Sequence, residues 1–160
     1  MRRLGVILLF CLMLTACNDN TPVAEGEPMP LTEIRNNLSN RSFLVLTKKS
    51  EYTLAFLELL YQRSKNYYSV TVDDLSNILE YNFASYNGVL IIETLQKGSA
   101  PVLDGYLQEY SGANNIVLHA LDGEYLSTYP VSVITANSTV LDSEVLYSTA
   151  GQVFYKLREK

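Results

Sequence analysis

Thiols, histidine, charge and long apolar runs are all scarce in this chain of 160 residues. Both Cys, Cys11 and Cys17, fall at the beginning, so the remainder has neither a disulfide nor a thiolate ligand to offer. The one His, His119, cannot build a His-based metal site. Ser-based hydrolysis would need it as base, and no G-x-S-x-G elbow accompanies it. No catalytic set is therefore expected. Charged residues make up 18%, below the usual quarter, and the net charge is −5. That acidic balance disfavours nucleic acid and anionic lipid as partner surfaces. The uncharged run Leu4 to Ala16 is too short to span a bilayer, which takes roughly 20 apolar residues. What is present is a 48% hydrophobic composition with 12 Tyr, which belongs to a folded domain and not to a disordered chain.

The beginning of the chain is the most specific part. Met1-Arg2-Arg3 is a short basic start, followed by the apolar run and small residues, the pattern of a secretory signal. Leu14-Thr15-Ala16-Cys17 resembles the lipobox of bacterial lipoproteins: an aliphatic residue, two small ones, then Cys. The resemblance implies that the Cys17 thiol receives a diacylglyceryl group, that cleavage removes residues 1–16, and that the new amine is acylated. Three acyl chains exceed the two signals needed for stable anchoring. Loss of Arg2 and Arg3 leaves ten basic against seventeen acidic side chains, a mature charge of −7. In Gram-negative members of the lipoprotein family Asp at the place of Asn18 favours inner-membrane retention, so for a Gram-negative cell the resemblance and Asn18 lean the expectation to the outer membrane facing the periplasm. Residues 17–30 then read as an acylated N-terminus and flexible tether, with three Pro and one Gly between Asn18 and Pro30.

From residue 31 to 160 one domain is expected, with short β-rich runs alternating with helical patterns. Leu31 to Leu38 reads as a leading helix. Phe43 to Leu46 is a strand buried on both faces, and Ser50 caps a helix with Leu54, Leu57 and Tyr61 on one stripe. Tyr67 to Val72 and Val89 to Ile92 read as strands, separated by a short helix that Asp73 or Asp74 caps and that carries Leu75, Ile78 and Leu79. Ser99 and Pro101 open the next helix and Gly112 stops it. Asn115 to Leu121 and Val131 to Thr135 complete the strands. A last helix opens at Asp142 or Ser143, with Leu146, Ala150, Val153 and Leu157 at helical spacing. The order predicts an α/β fold: a mostly parallel, five-stranded sheet with helices on both faces.

The order, and above all YNGVLIIETLQKGSAPVLDGYLQEY from Tyr86 to Tyr110, resembles the flavodoxin-like fold. Gly98-Ser99-Ala100-Pro101 occupies the place of that family's Gly-Ser-small-Pro loop. The resemblance implies an FMN phosphate site in the first strand-to-helix loop, built from small and hydroxyl residues around a helix N-terminus. Here that loop reads Thr47-Lys48-Lys49-Ser50-Glu51-Tyr52-Thr53. Thr47, Ser50 and Thr53 keep the hydroxyls, and Lys48 can neutralise an anion. Yet Gly is absent, the spacing is one residue longer, and Glu51 brings negative charge. The flavin-ring loops would hold Thr94, Gly98 and Ser99 on one side and Tyr125 or Tyr129 on the other. In receiver domains of two-component signalling, paired acids and a phosphoacceptor Asp occupy the edge where Thr47 and Glu93 stand, so phosphotransfer is not expected.

The leading expectation is a membrane-anchored envelope lipoprotein whose domain is a non-catalytic module for an envelope protein partner, with no cofactor. The alternative is an FMN-binding redox protein. Asp73, Asp74, Asp122 and Glu124 gather at the ligand edge, where helix capping is the simpler use of acids. A His inside a strand is expected in the core. Asn37 and Asn137 head Asn-x-Ser/Thr triplets, but glycosylation is not expected beside a lipobox.

Overall fold

The structure, a computed structural model, describes residues 26–95, 101–123 and 129–159. Its strands are β1 (Thr32–Ile34), β2 (Ser42–Thr47), β3 (Ser69–Asp74), β4 (Gly88–Thr94), β5 (Ile116–Leu121) and β6 (Ser132–Ala136). Its α-helices are α1 (Glu51–Ser64), α2 (Pro101–Glu109) and α3 (Ser143–Arg158), with 3₁₀ turns at Leu75–Glu80 and Phe83–Ser85. The strands form one sheet in the order β1-β3-β2-β4-β5-β6. Every pairing is parallel except β1 with β3. The chain is thus α/β with a mostly parallel sheet. The expected five strands become six, the added one antiparallel at the edge.

The sixth strand comes from Leu31 to Leu38, which is not a helix. β1 pairs Thr32 with Val72 and Ile34 with Val70. Asn36 draws the chain out of a helix: its side chain accepts from the Leu38 N–H and donates to the Lys65 carbonyl. Leu38 is 96% exposed, so a helix here would have no apolar face to bury.

Alternation along the central strands sends side chains to two separate cores. Phe43, Val45, Leu90, Ile92 and Val117 face α1 and α3. Leu44, Leu46, Val89, Ile91, Ile116 and Leu118 face α2 and the 3₁₀ turns. Strands buried on both sides are what a parallel sheet between helix layers requires. Helix α3 buries Leu146, Ala150, Val153 and Leu157 as their spacing predicts, with Phe154 beside them, and Asp142 is its cap. Helix α1 is rotated from expectation. It buries Tyr52, Thr53, Phe56, Leu60 and Ser64, while Leu54 is 47% exposed. The aromatic pair Tyr52 and Phe56 wins the inward face because His119 lies beneath it (Phe56 ring centroid 4.7 Å from the imidazole). After β3 the expected short helix is a 3₁₀ turn. Its three-residue period buries Leu75 and Ile78 and leaves Leu79 exposed. The amino-terminal end of the sheet closes on Phe43 stacked against Tyr68 at 3.9 Å, with Gly88 alongside. A Cβ at Gly88 would come within 2.9 Å of the Phe43 ring.

Candidate functional site at the carboxyl edge of the sheet

In parallel α/β sheets ligands bind beyond the carboxyl ends of the strands. On this molecule that edge is set by Thr47, Asp74, Thr94, Leu121 and Ala136. The loop from β2 to α1 brings Thr47, Lys48, Ser50 and Thr53 together, as the sequence predicts. Their polar groups turn inward on one another. Ser50 caps α1 in a capping box: its side chain accepts from the Thr53 N–H, and the Thr53 hydroxyl accepts from the Ser50 N–H at 2.8 Å. Thr53 also places its hydroxyl 3.0 Å from the Lys48 carbonyl. Thr47 is fully buried, its hydroxyl 3.1 Å from the same carbonyl.

Lys48 does not point to solvent. Its Nζ lies 2.6 Å from Asp74 Oδ1, and both side chains are largely buried. Asp74 also accepts from the Ser76 N–H at 2.9 Å and the Met29 N–H at 2.8 Å. Burial alone would raise its pKa, but Lys48, Ser76 and Met29 outweigh that and hold the carboxyl at about 2. Asp73 accepts from the Tyr81 hydroxyl at 2.6 Å and the Asn77 amide at 3.0 Å. The Tyr81 hydroxyl is pushed up, first by burial and then by the Asp73 bond. Both acids therefore hold the strand end and the following turn in place.

Over this loop lies a segment that the sequence reading assigned to the tether. Residues 26–30 rest on the domain. The Lys49 N–H donates to the Glu27 carbonyl at 2.8 Å, and Lys49 Nζ pairs with the Glu27 carboxylate at 2.9 Å. Met29 is buried in the core on the α1 side. Gly26 sits at φ +126°, where a Cβ would meet Lys48 Cβ at 2.9 Å. This strap was missed because Pro-rich composition reads as linker. Met29, an apolar residue between Pro28 and Pro30, is the signal that pointed to docking.

The remaining candidates divide cleanly. Thr94 ends β4, two residues past Ile92, which pairs with Thr47. Gly98, Ser99, Glu124, Tyr125 and Cys17 lie outside the described residues. Tyr129 packs partly buried against the α2-side core. Asp122 takes a left-handed φ of 55°, and its carboxylate receives the Ser138 N–H at 2.8 Å and the Ser138 hydroxyl. It braces the turn after β6.

His119 is fully buried within β5. Nδ1 lies 3.0 Å from the Ile134 carbonyl, an acceptor only, so Nδ1 carries the proton. Nε2 then accepts from the Tyr52 hydroxyl at 2.8 Å. Burial lowers the imidazole pKa, partly opposed by the Ile134 bond. Burial, then the charge of Asp122, raises Tyr52 to about 12. The pair is a satisfied core contact with no face on solvent.

In this loop the Ser50 and Thr53 hydroxyls and the Lys48 charge are engaged within the fold, and Glu27 and Glu51 flank the helix start. Among the described residues no group of three or more His, Cys, Asp or Glu is placed to hold a metal ion. No described helix is long and apolar enough to cross a membrane. Compared with known proteins, the chain matches no family model, no curated protein and no solved structure.

Proposed function

We propose that this chain is a bacterial envelope lipoprotein, acylated on Cys17, whose domain is a non-catalytic interaction module of flavodoxin-like topology. Lipid attachment rests on Leu14-Thr15-Ala16-Cys17 and the basic and apolar stretch before it. The topology rests on the five parallel strands β3-β2-β4-β5-β6, which follow the 2-1-3-4-5 order of that fold. One observation carries the non-catalytic reading. The β2–α1 loop, which holds the phosphate in flavodoxins, is closed from inside by the capping box and from outside by the strap. In this reading an envelope protein partner is recognised by surface, and the outer membrane facing the periplasm is the site of action.

A flavin titration tests it. Mature lipidated protein in detergent is mixed with FMN while flavin fluorescence is followed. The expected result is no saturable quenching up to millimolar FMN. Saturable quenching at micromolar FMN, abolished by Ser50→Glu, would instead make the protein an FMN-binding redox carrier.

A further inference from the structure

We propose that the carboxyl edge of the sheet faces the bilayer at close range, and that the opposite, amino-terminal edge is the side turned away from it. The proposal rests on acylation of Cys17. Two independent observations locate where the chain enters the domain. First, β1 runs antiparallel to β3, with Thr32 opposite Val72 and Ile34 opposite Val70. A strand paired that way begins at the carboxyl end of β3. Second, the strap is fixed on the same edge, Glu27 to Lys49 and Met29 to Asp74.

The geometry then limits how the domain can stand. Cys17 precedes Gly26 by nine residues. Nine residues span at most about 30 Å, whatever their conformation. A domain of this size is about 35 Å across. Turning the amino-terminal edge to the lipid would require the link to pass the full height of the sheet and the loops at both ends. Its whole reach would go into that detour. With the carboxyl edge toward the lipid, no detour is needed. Glu51 and Asp122 are exposed on this edge, and Glu27 is offset by Lys49, so the edge fronts the headgroups without inserting. The occupant of the edge is thus the membrane surface itself. The amino-terminal edge, with the loops around Asn66 and Asn114, is what a soluble or envelope partner meets first.

Acylation leaves the mature chain without a free thiol, so one introduced Cys is a unique labelling site. Exposed positions on the carboxyl edge are Glu51 and Thr139; on the amino-terminal edge they are Asn66 and Asn114. Each is changed to Cys, labelled with a fluorophore, and the lipidated protein is placed in phosphatidylcholine vesicles carrying a headgroup nitroxide quencher. Because strands of five to seven residues set the two edges about 20 Å apart, quenching at Glu51→Cys and Thr139→Cys is expected to exceed that at Asn66→Cys and Asn114→Cys about threefold. Equal quenching at all four, or the reverse order, overturns the orientation. Flotation of the same vesicles separates this from the anchor. Protein that does not float, with Cys17 open to maleimide, overturns acylation and not the geometry of entry. Inserting a long Gly/Ser stretch between Cys17 and Gly26 is expected to shrink the quenching difference.

Discussion

At Lys48 and Asp74 a short contact decides what the loop can do. A Lys in a strand-to-helix loop reads as an anion ligand until its Nζ is found 2.6 Å from a buried carboxylate. Removing one partner of such a pair leaves the other buried and unpaired, so Lys48→Ala should destabilise the domain by about 3 kcal/mol in urea unfolding. The Asp74 pKa, held at about 2 against an ordinary 3.8, adds a pH dependence. Its stabilisation is full above the unfolded value and is lost as pH falls through 3.8 toward 2. His119 acts in a different window. Its folded pKa is lowered while the unfolded value is about 6.5, so the fold favours the neutral ring. Stability from it is complete above about 6.5 and declines as the pH drops below that value. The melting temperature should therefore fall between pH 7 and pH 5.5, before carboxylates titrate, and His119→Phe should flatten that slope. Tyr52→Phe leaves Nε2 buried without a donor and should cost about 1–3 kcal/mol.

Among the elements, strands were the most legible and the helix faces the least. Runs such as Val89 to Ile92 are apolar on consecutive positions, and only a strand covered on both sides uses that pattern. Asp142, Leu146, Ala150, Val153 and Leu157 gave α3 its cap and buried stripe because both signals agree there. In α1 Leu, Tyr and Phe occur all round, so composition did not choose the inward side; the fully buried His119 on the sheet did. The capping box at Ser50 and Thr53 was visible as hydroxyls, but their closure on one another was not. Leu31, Ile34 and Leu38 fall at helical spacing, yet pairing with β3 and the Asn36 side chain make this stretch a strand and a turn. The strap was hidden by its prolines. It now makes its own prediction. Met29→Asp puts a carboxylate into the apolar core that Met29 occupies and should release residues 26–30 while the sheet stays folded. Hydrogen exchange at the Lys49 amide, which donates to the Glu27 carbonyl, should speed up about tenfold, equal to 1.4 kcal/mol of local stability. Unchanged exchange at Lys49 would mean that the strap does not hold the loop.

For the whole molecule, a net charge of −5, which the proposed cleavage before Cys17 would take to −7, gives no electrostatic reason to sit on an anionic membrane. In the function proposed above, its place there rests on a covalent bond at Cys17. The two Cys are Cys11 and Cys17, so the proposed cleavage before Cys17 would leave that thiol as the only one in the chain. Two core layers and a six-stranded sheet stabilise the domain without disulfides. The loop that would hold a phosphate is closed, and the chain enters beside it. Intact-mass and peptide mass spectrometry of protein extracted from membranes test the central claim most directly. The account predicts a chain beginning at Cys17, carrying a diacylglyceryl thioether and an acylated amine, and absent from the membrane fraction in Cys17→Ala. A mature chain whose Cys17 is an unmodified, maleimide-reactive thiol would contradict it.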